Sequence, residues 1–257
     1  MTGSVIWSTV RAIRGAEPAA GTVASVAART GIAERAVVKL PDGSEVQLGP
    51  ASSLETRSGF GQGARDVELT GEAVFTVTHD ASRPFRVHSG EAVIEDLGTR
   101  FVVRAVMDEP LRVAVSEGSV SIGRADSPRA RHAVLNPRDV AVLGSTGDAV
   151  VTRGVDVERY STWAGERAEL VFDNVPLRAV FRELERWYDV RFDVTDASVL
   201  DRTFTAPVTG LSIDAVLQVM STALALPFER EGKVVRLSPP VRTGLAVQEG
   251  AQVGGGA

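Results

Sequence analysis

The chain has no cysteine and little histidine. With no cysteine among its 257 residues, disulfide bonds and thiolate metal sites are excluded. The three histidines, His79, His88 and His132, lie on separate predicted elements without the spacing of a metal site. The sequence therefore predicts no metal site, and it contains no cofactor-binding motif in a suitable context.

Long apolar runs and an excess of positive charge are also missing. No stretch reaches the roughly 18 to 20 apolar residues that span a bilayer. The net charge of −5 and the pI near 5.4 give no basic field for nucleic acid. We therefore expect no nucleic-acid partner and no membrane-spanning segment within this sequence.

Residues 35 to 152 show one strand signal after another. AVVKLPDGSEVQL places a Pro-Asp-Gly-Ser turn between two apolar alternations, and RVAVSEGSVSIG repeats the pattern around a Glu-Gly turn. No helical period interrupts these strands. Regularly spaced short strands with polar turns predict an all-β sandwich or a solenoid-like domain.

One of these strands, VELTGEAVFTV at residues 67 to 77, is interrupted by Gly71 and Glu72. Gly71 falls on the apolar face without a side chain, which indicates a bulge or a close backbone approach. Glu72 falls on the polar face with Glu68, about 13 Å away along the strand, which is too far for a glycosidase carboxyl pair. We interpret Glu72 as a solvated or structurally paired acid rather than a catalytic one.

A change of period after residue 155 predicts a second, smaller unit. PLRAVFRELERWYDV carries apolar residues at intervals of three and four, and LSIDAVLQVMSTALALPF does so again with Ser212 as its N-cap. Strand patterns flank each helix, and we expect the two helices to cover one small sheet. The predicted fold class is mainly β plus α+β, with an all-β sandwich or solenoid-like domain followed by a small β-α-β/β-α-β domain.

Motifs that would indicate an enzyme are absent or out of context. GFGQGA at residues 59 to 64 has the glycines of a phosphate loop, but a strand rather than a helix follows it. We predict no catalytic residue. Two alternatives stay open: a surface carbohydrate-binding β module and, less favoured, a hydrolase assembled across strands. Aromatic residues are scarce at 5%, and Trp163 and Trp187 lie outside the β stretch, which weakens the carbohydrate alternative.

The order of several motifs resembles the periplasmic part of the FecR family, the membrane-anchored regulators of iron-uptake sigma factors. The motifs are LPDGSEVQLGPASSL, VELTGEAVFTV, RPFRVHS, LGTRFVVRAV and VAVSEGSV, in that order over roughly residues 30 to 145. Later, LVFDNVPLRAVFRELERWYDV and SIDAVLQVMSTALAL resemble the C-terminal unit of that family, which is similar to the short domain of secretins and TonB-dependent receptors. The resemblance implies a periplasmic signalling adaptor without catalysis, anchored to the inner membrane in the full-length protein.

The resemblance also implies the partners. In the family, a cytoplasmic segment holds the sigma factor, one helix crosses the inner membrane, and the periplasmic part senses the signalling domain of a TonB-dependent outer-membrane receptor. This sequence lacks the first two parts, so we expect an excised periplasmic region. We divide it into a flexible, membrane-proximal segment at 1–32, a FecR-like all-β domain at 33–154, a short α+β signalling domain at 155–238 and a flexible tail at 239–257.

Protein binding is expected at strand edges of the C-terminal unit. A small sheet leaves unpaired backbone groups at its edges, where a partner strand can add. The candidate edges are the closing hairpin, with Val234, Val235 and Leu237, and RTFTAPV, with Phe204 and Val208. The competing interpretation is that these five apolar side chains fill the small core.

Overall fold

Short β-strands follow one another from residue 27 to residue 152. The computed structural model describes residues 6–8, 25–96, 98–126, 132–144, 148–165 and 168–237, and for residues 6–8 the backbone alone. The strands of this first part are β1 (Ile6–Ser8), β2 (Ala27–Arg29), β3 (Glu34–Lys39), β4 (Glu45–Leu48), β5 (Ser53–Thr56), β6 (Arg65–Thr76), β7 (Phe85–Ser89), β8 (Ala92–Asp96), β9 (Arg100–Ala105), β10 (Leu111–Glu117), β11 (Val120–Arg124), β12 (Ala133–Leu135), β13 (Val140–Leu143) and β14 (Ala149–Thr152).

The long strand β6 belongs to two sheets at once. Its first half pairs with β5 and β7, and its second half pairs with β4 and β9. The first sheet has the order β1-β3-β4-β6-β9-β10-β13-β14, and the second sheet has the order β2-β5-β6-β7-β8-β11-β12. Both sheets contribute to one apolar core, with Phe75 and Phe101 from the first and Val67 and Ile94 from the second. The predicted mainly β fold is confirmed, with two sheets facing each other across a core as in a sandwich.

Two strands lie within residues 1–32, for which the sequence predicts a flexible segment. β2 pairs antiparallel with β5, and β1 pairs in parallel with β3. The Ala-Ala-Arg sequence of β2 contains no β-branched or aromatic residue, so strand propensity does not reveal it. The second sheet therefore begins before residue 33. The predicted tail at 239–257 lies outside the described residues.

The C-terminal unit, from residue 155 onward, has the predicted order of strands and helices but forms two small sheets. β15 and β17 pair antiparallel, while β19 lies between β16 and β18. The expectation of one sheet is wrong because each β-α-β segment starts in the two-stranded sheet and ends in the three-stranded one. The elements are 3₁₀ helices at Glu158–Tyr160 and Thr162–Ala164, β15 (Glu169–Pro176), α1 (Leu177–Tyr188), β16 (Arg191–Val194), a 3₁₀ helix at Ala197–Asp201, β17 (Thr203–Thr209), α2 (Ile213–Leu224), β18 (Phe228–Glu231) and β19 (Val234–Leu237).

Both helices follow the apolar stripes of their sequences. In α1 the buried residues include Val180, Phe181 and Leu184, at the predicted spacing. The side chain of Ser212 accepts a hydrogen bond from the backbone of Ala215 at 3.3 Å, so it is the N-cap of α2 as predicted. In the part of the chain that the structure describes, no helix is long and apolar enough to cross a membrane.

The C-terminal unit packs on the outer face of the first sheet. Val74, Val102, Ala114 and Val140 point away from the sandwich core and belong to a second apolar core with Trp163 and the helices. The second half of β6 is therefore buried on both faces. This contact brings side chains of β6 and β9 next to α1.

Candidate functional site

The site begins where β6 passes from one sheet to the other. Its pairing changes at Gly71, whose φ of +93° lies in a region that residues with a side chain rarely adopt. A Cβ atom at this position would lie 2.8 Å from Cα of Ser52, so another residue fits only if the backbone shifts. The close backbone approach predicted at Gly71 is confirmed.

Glu72 follows directly and is buried. Only 4% of the residue is exposed, and its backbone N–H donates to Oγ of Ser52 at 2.9 Å. Its side chain lies on the outer face of the first sheet, which the C-terminal unit covers. There Oε2 lies 2.5 Å from Nη2 of Arg186 and 3.1 Å from Nη1 of Arg104. Of the two interpretations of Glu72, the paired acid is confirmed and the solvated acid is wrong.

Arg104 connects acids from both parts of the chain. It lies opposite Glu72 in the register of β6 and β9. Its Nε donates to Glu109, in the turn after β9, at 2.9 Å, and its Nη2 donates to Glu183 of α1 at 2.7 Å. One guanidinium group therefore contacts three carboxylates, which come from a strand, a turn and a helix.

Helix α1 supplies Glu183 and Arg186, which lie three residues apart and therefore on one side of the helix. Glu183 accepts hydrogen bonds from Nη2 of Arg186 at 2.9 Å and from Nε1 of Trp187 at 2.6 Å. Nη1 of Arg186 donates to the carbonyl of Pro50 at 3.0 Å. We define the inter-domain cluster as Glu72, Arg104, Glu109, Glu183 and Arg186.

The charges of the inter-domain cluster stabilise one another. Burial raises the pKa of the Glu183 carboxyl, but attraction to Arg186 and Arg104 outweighs burial and lowers the pKa to about 2. Burial also lowers the pKa of both arginines, and attraction to Glu72 and Glu183 outweighs it, so both pKa values are raised. Glu183 and the two arginines therefore remain charged at neutral pH.

This arrangement joins two parts of the molecule and does not have the form of a catalytic centre. Each of the three carboxylates is bound by at least one arginine, so each makes its contacts within the protein. Among the described residues there is no group of three or more histidines or acids that could hold a metal ion. The chemistry that the cluster supports is the fixing of α1 against β6 and β9.

A cleft of about 400 Å³ opens beside the inter-domain cluster, between the first sheet and the C-terminal unit. The guanidinium of Arg112 lies 5.8 Å from the ring centroid of Tyr160 in its wall, and Arg159 lies 3.3 Å from Asp173. The exposed side chain of Val171, on β15, also lines it. Both acids and arginines line the cleft, so no single sign of charge predominates that would select one class of small ligand.

The five apolar residues predicted at strand edges are located inside the C-terminal unit. Phe204, Val208, Val235 and Leu237 are at most 7% exposed, and Val234 is partly buried. β19 carries three of them and is a central strand, because β16 pairs with it in parallel on the side opposite β18. Within the closing hairpin, the open edge therefore belongs to β18 and not to β19.

The outer strands of the two small sheets are β15, β16, β17 and β18, and the two segments predicted as edges contribute β17 and the first strand of the closing hairpin, β18. In the described part of the chain, β17 pairs only with β15 and β18 pairs only with β19. Pro207 in β17 has no N–H to donate, and Glu229, Arg230 and Glu231 of β18 are exposed. Both features oppose non-specific pairing of an edge strand. A partner strand at either edge must therefore match a restricted pattern.

The tryptophans of the C-terminal unit do not form a surface platform. Trp163 and Trp187 are 4% and 2% exposed, and their rings meet with centroids 5.9 Å apart. Stacking against a sugar requires an exposed ring face. These two residues therefore give no support to the carbohydrate-binding alternative.

Comparison with known proteins identifies both parts of the chain. A family model described as FecR protein matches residues 27–121, and a second model, described as FecR, C-terminal, matches residues 169–237. The chain belongs to the FecR family. In this FecR-family protein, the inter-domain cluster connects the two matched regions.

Solved structures support the same assignment. Two crystal structures, at 1.65 Å and 2.50 Å, of a protein from Parabacteroides distasonis ATCC 8503 that is provisionally described as an anti-sigma factor are similar to this FecR-family chain. They share 26% sequence identity with it, cover 83% of this chain and 98% of their own, and have TM-scores of 0.73 and 0.72. No curated protein matches the chain at a significant level. The prediction of a FecR-like regulator is confirmed.

Sequence reasoning did not find most of the inter-domain cluster. The one local signal was Glu72, which interrupts an apolar alternation next to a glycine. Glu183 and Arg186 resemble ordinary surface residues of an amphipathic helix, and Arg104 resembles an ordinary strand residue. Their contact joins positions about 80 residues apart, and no local spacing rule predicts such a contact.

Proposed function

We propose that this chain is the periplasmic signalling module of a FecR-like sigma-factor regulator. In this proposal it relays the state of a TonB-dependent outer-membrane receptor across the inner membrane by protein-protein contact. The observation that carries the proposal is the inter-domain cluster, which joins the region matched as FecR, C-terminal, to the β domain. A contact made on the C-terminal unit reaches β6 and β9 through buried charges rather than through a flexible linker.

The receptor's signalling domain binds, in this proposal, to an edge of the C-terminal unit, which we regard as similar to the short domain of secretins and TonB-dependent receptors. Among the outer strands of the two small sheets, β17 and β18 each offer an open backbone edge for strand addition. The apolar residues predicted from the sequence contribute by packing inside the C-terminal unit. Phe204 and Val208 anchor β17, and Val234, Val235 and Leu237 anchor β19, the strand that pairs with β18. Backbone groups would then supply affinity, and the charges of β18 would supply selectivity.

The binding step is tested by titration of the ¹⁵N-labelled chain with the periplasmic signalling domain of a TonB-dependent receptor encoded beside it. Calorimetry measures the affinity, and NMR locates the contact. We expect saturable binding with the largest amide shifts in β17 or β18. The signalling domain of a receptor encoded elsewhere is the control. Equal binding of both domains, or no binding of any neighbouring receptor's domain to a folded chain, would contradict the proposal.

The relay step is tested separately with two substitutions on β6. Glu72→Gln removes a charge on a residue that is only 4% exposed, whereas Glu68→Gln removes a charge on a side chain of the same strand that is 45% exposed. In the full-length regulator we expect Glu72→Gln to retain receptor binding and to lose receptor-dependent sigma-factor output. Glu68→Gln should retain both. Full output from the Glu72→Gln regulator would show that the inter-domain cluster does not carry the signal.

A further inference from the structure

Strand β3 has a neighbour on its outer edge that is distant from it in sequence. β1 pairs with it in parallel, with Ile6 opposite Glu34, Trp7 opposite Arg35 and Ser8 opposite Ala36. β4 occupies the other edge in antiparallel pairing. A three-residue strand at the edge of a sheet makes few hydrogen bonds, so it can dissociate without opening the rest of the sheet.

The same part of β3 contacts the C-terminal unit. The backbone N–H of Ala33 donates to the carbonyl of Arg186, near the end of α1, at 2.9 Å. Nη1 of Arg35 donates to the carbonyl of Trp163 and, at 3.3 Å, to that of Gly165. Arg35 is only 3% exposed, and its guanidinium lies 5.8 Å from the ring centroid of Trp187.

Arg35 therefore connects two segments that do not pair with each other. Its backbone lies opposite β1, and its side chain is bound to the segment that precedes β15. If the C-terminal unit moves away from the first sheet, a buried guanidinium loses two carbonyl acceptors, which is unfavourable unless the side chain reorients towards water. The backbone that carries Arg35, residues 34–36, is also the backbone that pairs with β1.

We infer that β3 is a coupling strand. Its outer edge is a docking site for the chain's own residues 6–8, and contacts with the C-terminal unit maintain the conformation of that edge. β1 is docked while the unit contacts residues 33–35, and it dissociates when the unit moves. The use of this coupling in signalling rests on the proposed function. The coupling itself is a property of the chain alone and is measured without a receptor.

Docking is tested by disulfide crosslinking. Because the chain has no cysteine, Ile6→Cys with Glu34→Cys introduces a single pair. Register partners on adjacent strands lie within the range of about 4.4 to 6.8 Å between Cα atoms that a disulfide bridges. Under mild oxidation we expect nearly complete intramolecular crosslinking. Ile6→Cys with Lys39→Cys, out of register on the same strand, is the control and should crosslink little.

Two outcomes of the crosslinking experiment would overturn docking. Equal crosslinking of the two cysteine pairs would mean that residues 6–8 have no fixed register on β3. Disulfide-linked dimers formed by the Ile6 and Glu34 pair, in place of crosslinked monomers, would assign the edge to a second copy of the chain. Crosslinked monomers in register alone support the inference.

Coupling is tested by amide hydrogen exchange in two variants of Arg35. Arg35→Gln loses the charge and the reach to both carbonyls, whereas Arg35→Lys keeps the charge and part of the donor capacity. We expect exchange at residues 6–8 to accelerate about tenfold in Arg35→Gln and less in Arg35→Lys, while β9 and β10 keep their wild-type rates. Arg57→Gln, at an exposed ion pair away from β3, is the matched control and should change none of these rates.

Unchanged exchange at residues 6–8 in both Arg35 variants would overturn the coupling. If Arg35→Gln accelerates exchange throughout the chain, the result for Arg35→Lys is decisive. Faster exchange confined to residues 6–8 in Arg35→Lys would support the coupling, and any other pattern in that variant would refute it. Failure of receptor binding with this coupling intact would refute the proposed function alone. Receptor binding without the coupling would refute only the present inference.

Discussion

At the scale of single residues, the contribution of Glu72 to stability depends on the charges around it. The inter-domain cluster contains three carboxylates and two guanidinium groups, and the half-exposed Arg182 lies 4.0 Å from Glu109 at its margin. Buried ion pairs add little net stability compared with apolar side chains of similar shape, but removing one partner leaves a charge that is poorly compensated. The effect of a substitution in the cluster therefore depends on the balance of charge that remains.

Removing a negative charge and removing a positive charge from the cluster should accordingly have unequal effects on stability. Glu72→Gln leaves two carboxylates with two guanidinium groups, whereas Arg186→Met leaves three carboxylates with Arg104 alone. We expect the free energy of unfolding to fall by about 2 kcal/mol in Glu72→Gln and by about 4 kcal/mol in Arg186→Met. Urea denaturation followed by circular dichroism measures both values.

The control for these two variants lies on the same strand. Glu68 pairs with Arg57 at 2.6 Å, but both side chains are nearly half exposed. Exposed ion pairs contribute little, so Glu68→Gln should change the free energy of unfolding by less than about 0.5 kcal/mol. A loss in Arg186→Met no larger than that in Glu68→Gln would refute the charge-balance explanation.

Glu183 should make stability depend on pH in the acid range. Its pKa of about 2 in the folded protein is below the value of about 4.3 for an unperturbed glutamate. Because its pKa is lower in the folded state, its contribution to stability is complete above the unfolded pKa and is lost as pH falls towards the folded pKa. We expect the free energy of unfolding to decrease between about pH 4.5 and pH 2, and to decrease less steeply in Glu183→Gln.

Denaturation midpoints measured across this pH range check the expectation. Glu68→Gln is again the matched control, and it should keep the wild-type slope because its carboxylate is exposed. If Glu183→Gln shows the wild-type slope as well, other carboxylates are responsible for the loss of stability in acid.

At the scale of structural elements, β6 is the strand that links the two sheets to the inter-domain cluster. It runs from Arg65 to Thr76 and changes partners at Gly71. The change of partners brings Ser52 against the glycine and presents Glu72 to the C-terminal unit. The conformation of one glycine therefore positions the acid that follows it.

Replacing Gly71 and Gly61 by alanine in turn should separate the cost of an unfavourable φ from the cost of a steric clash. Gly71→Ala combines an unfavourable φ with a clash against Ser52, and we expect a loss of about 3 kcal/mol in the free energy of unfolding. Gly61→Ala has a similar φ of +81° but no heavy atom within 4 Å of the added Cβ, so we expect a loss of about 1 kcal/mol. Thermal denaturation compares the two. Equal losses would show that the contact with Ser52 is easily relieved.

Local patterns predicted the elements well because periodicity and capping are properties of neighbouring residues. The apolar stripe of α1 and the N-cap at Ser212 are examples. Alternation in a strand, by contrast, predicts which side chains share a face of the sheet but not which other element covers that face. Alternation places Glu72 on the polar face of β6, and the C-terminal unit buries that face, where Val74 also lies. The parallel pairing of β16 with β19 was missed for the same reason, since it depends on contacts that are distant in sequence.

At the scale of the whole molecule, two apolar cores share the first sheet. One lies between the two sheets, and the other lies between the outer face of the first sheet and the C-terminal unit. Val102 on β9 belongs to the second core, as do Trp163 and Trp187. Because one sheet contributes to both cores, we expect the β domain and the C-terminal unit to unfold in a single cooperative transition.

A charge placed in the second core should separate this transition into two. Val102 is 4% exposed, and Val102→Glu would bury a carboxylate against the C-terminal unit, whereas Val150→Glu introduces the same charge at a position that is 70% exposed. In a Trp7→Phe background, fluorescence of the remaining two tryptophans reports on the C-terminal unit, and circular dichroism reports mainly on the strands. We expect the two signals to coincide in the parent protein and in Val150→Glu, and fluorescence to change first in Val102→Glu. Coincident signals in Val102→Glu would mean that the inter-domain cluster, rather than the apolar face of the first sheet, holds the β domain and the C-terminal unit together.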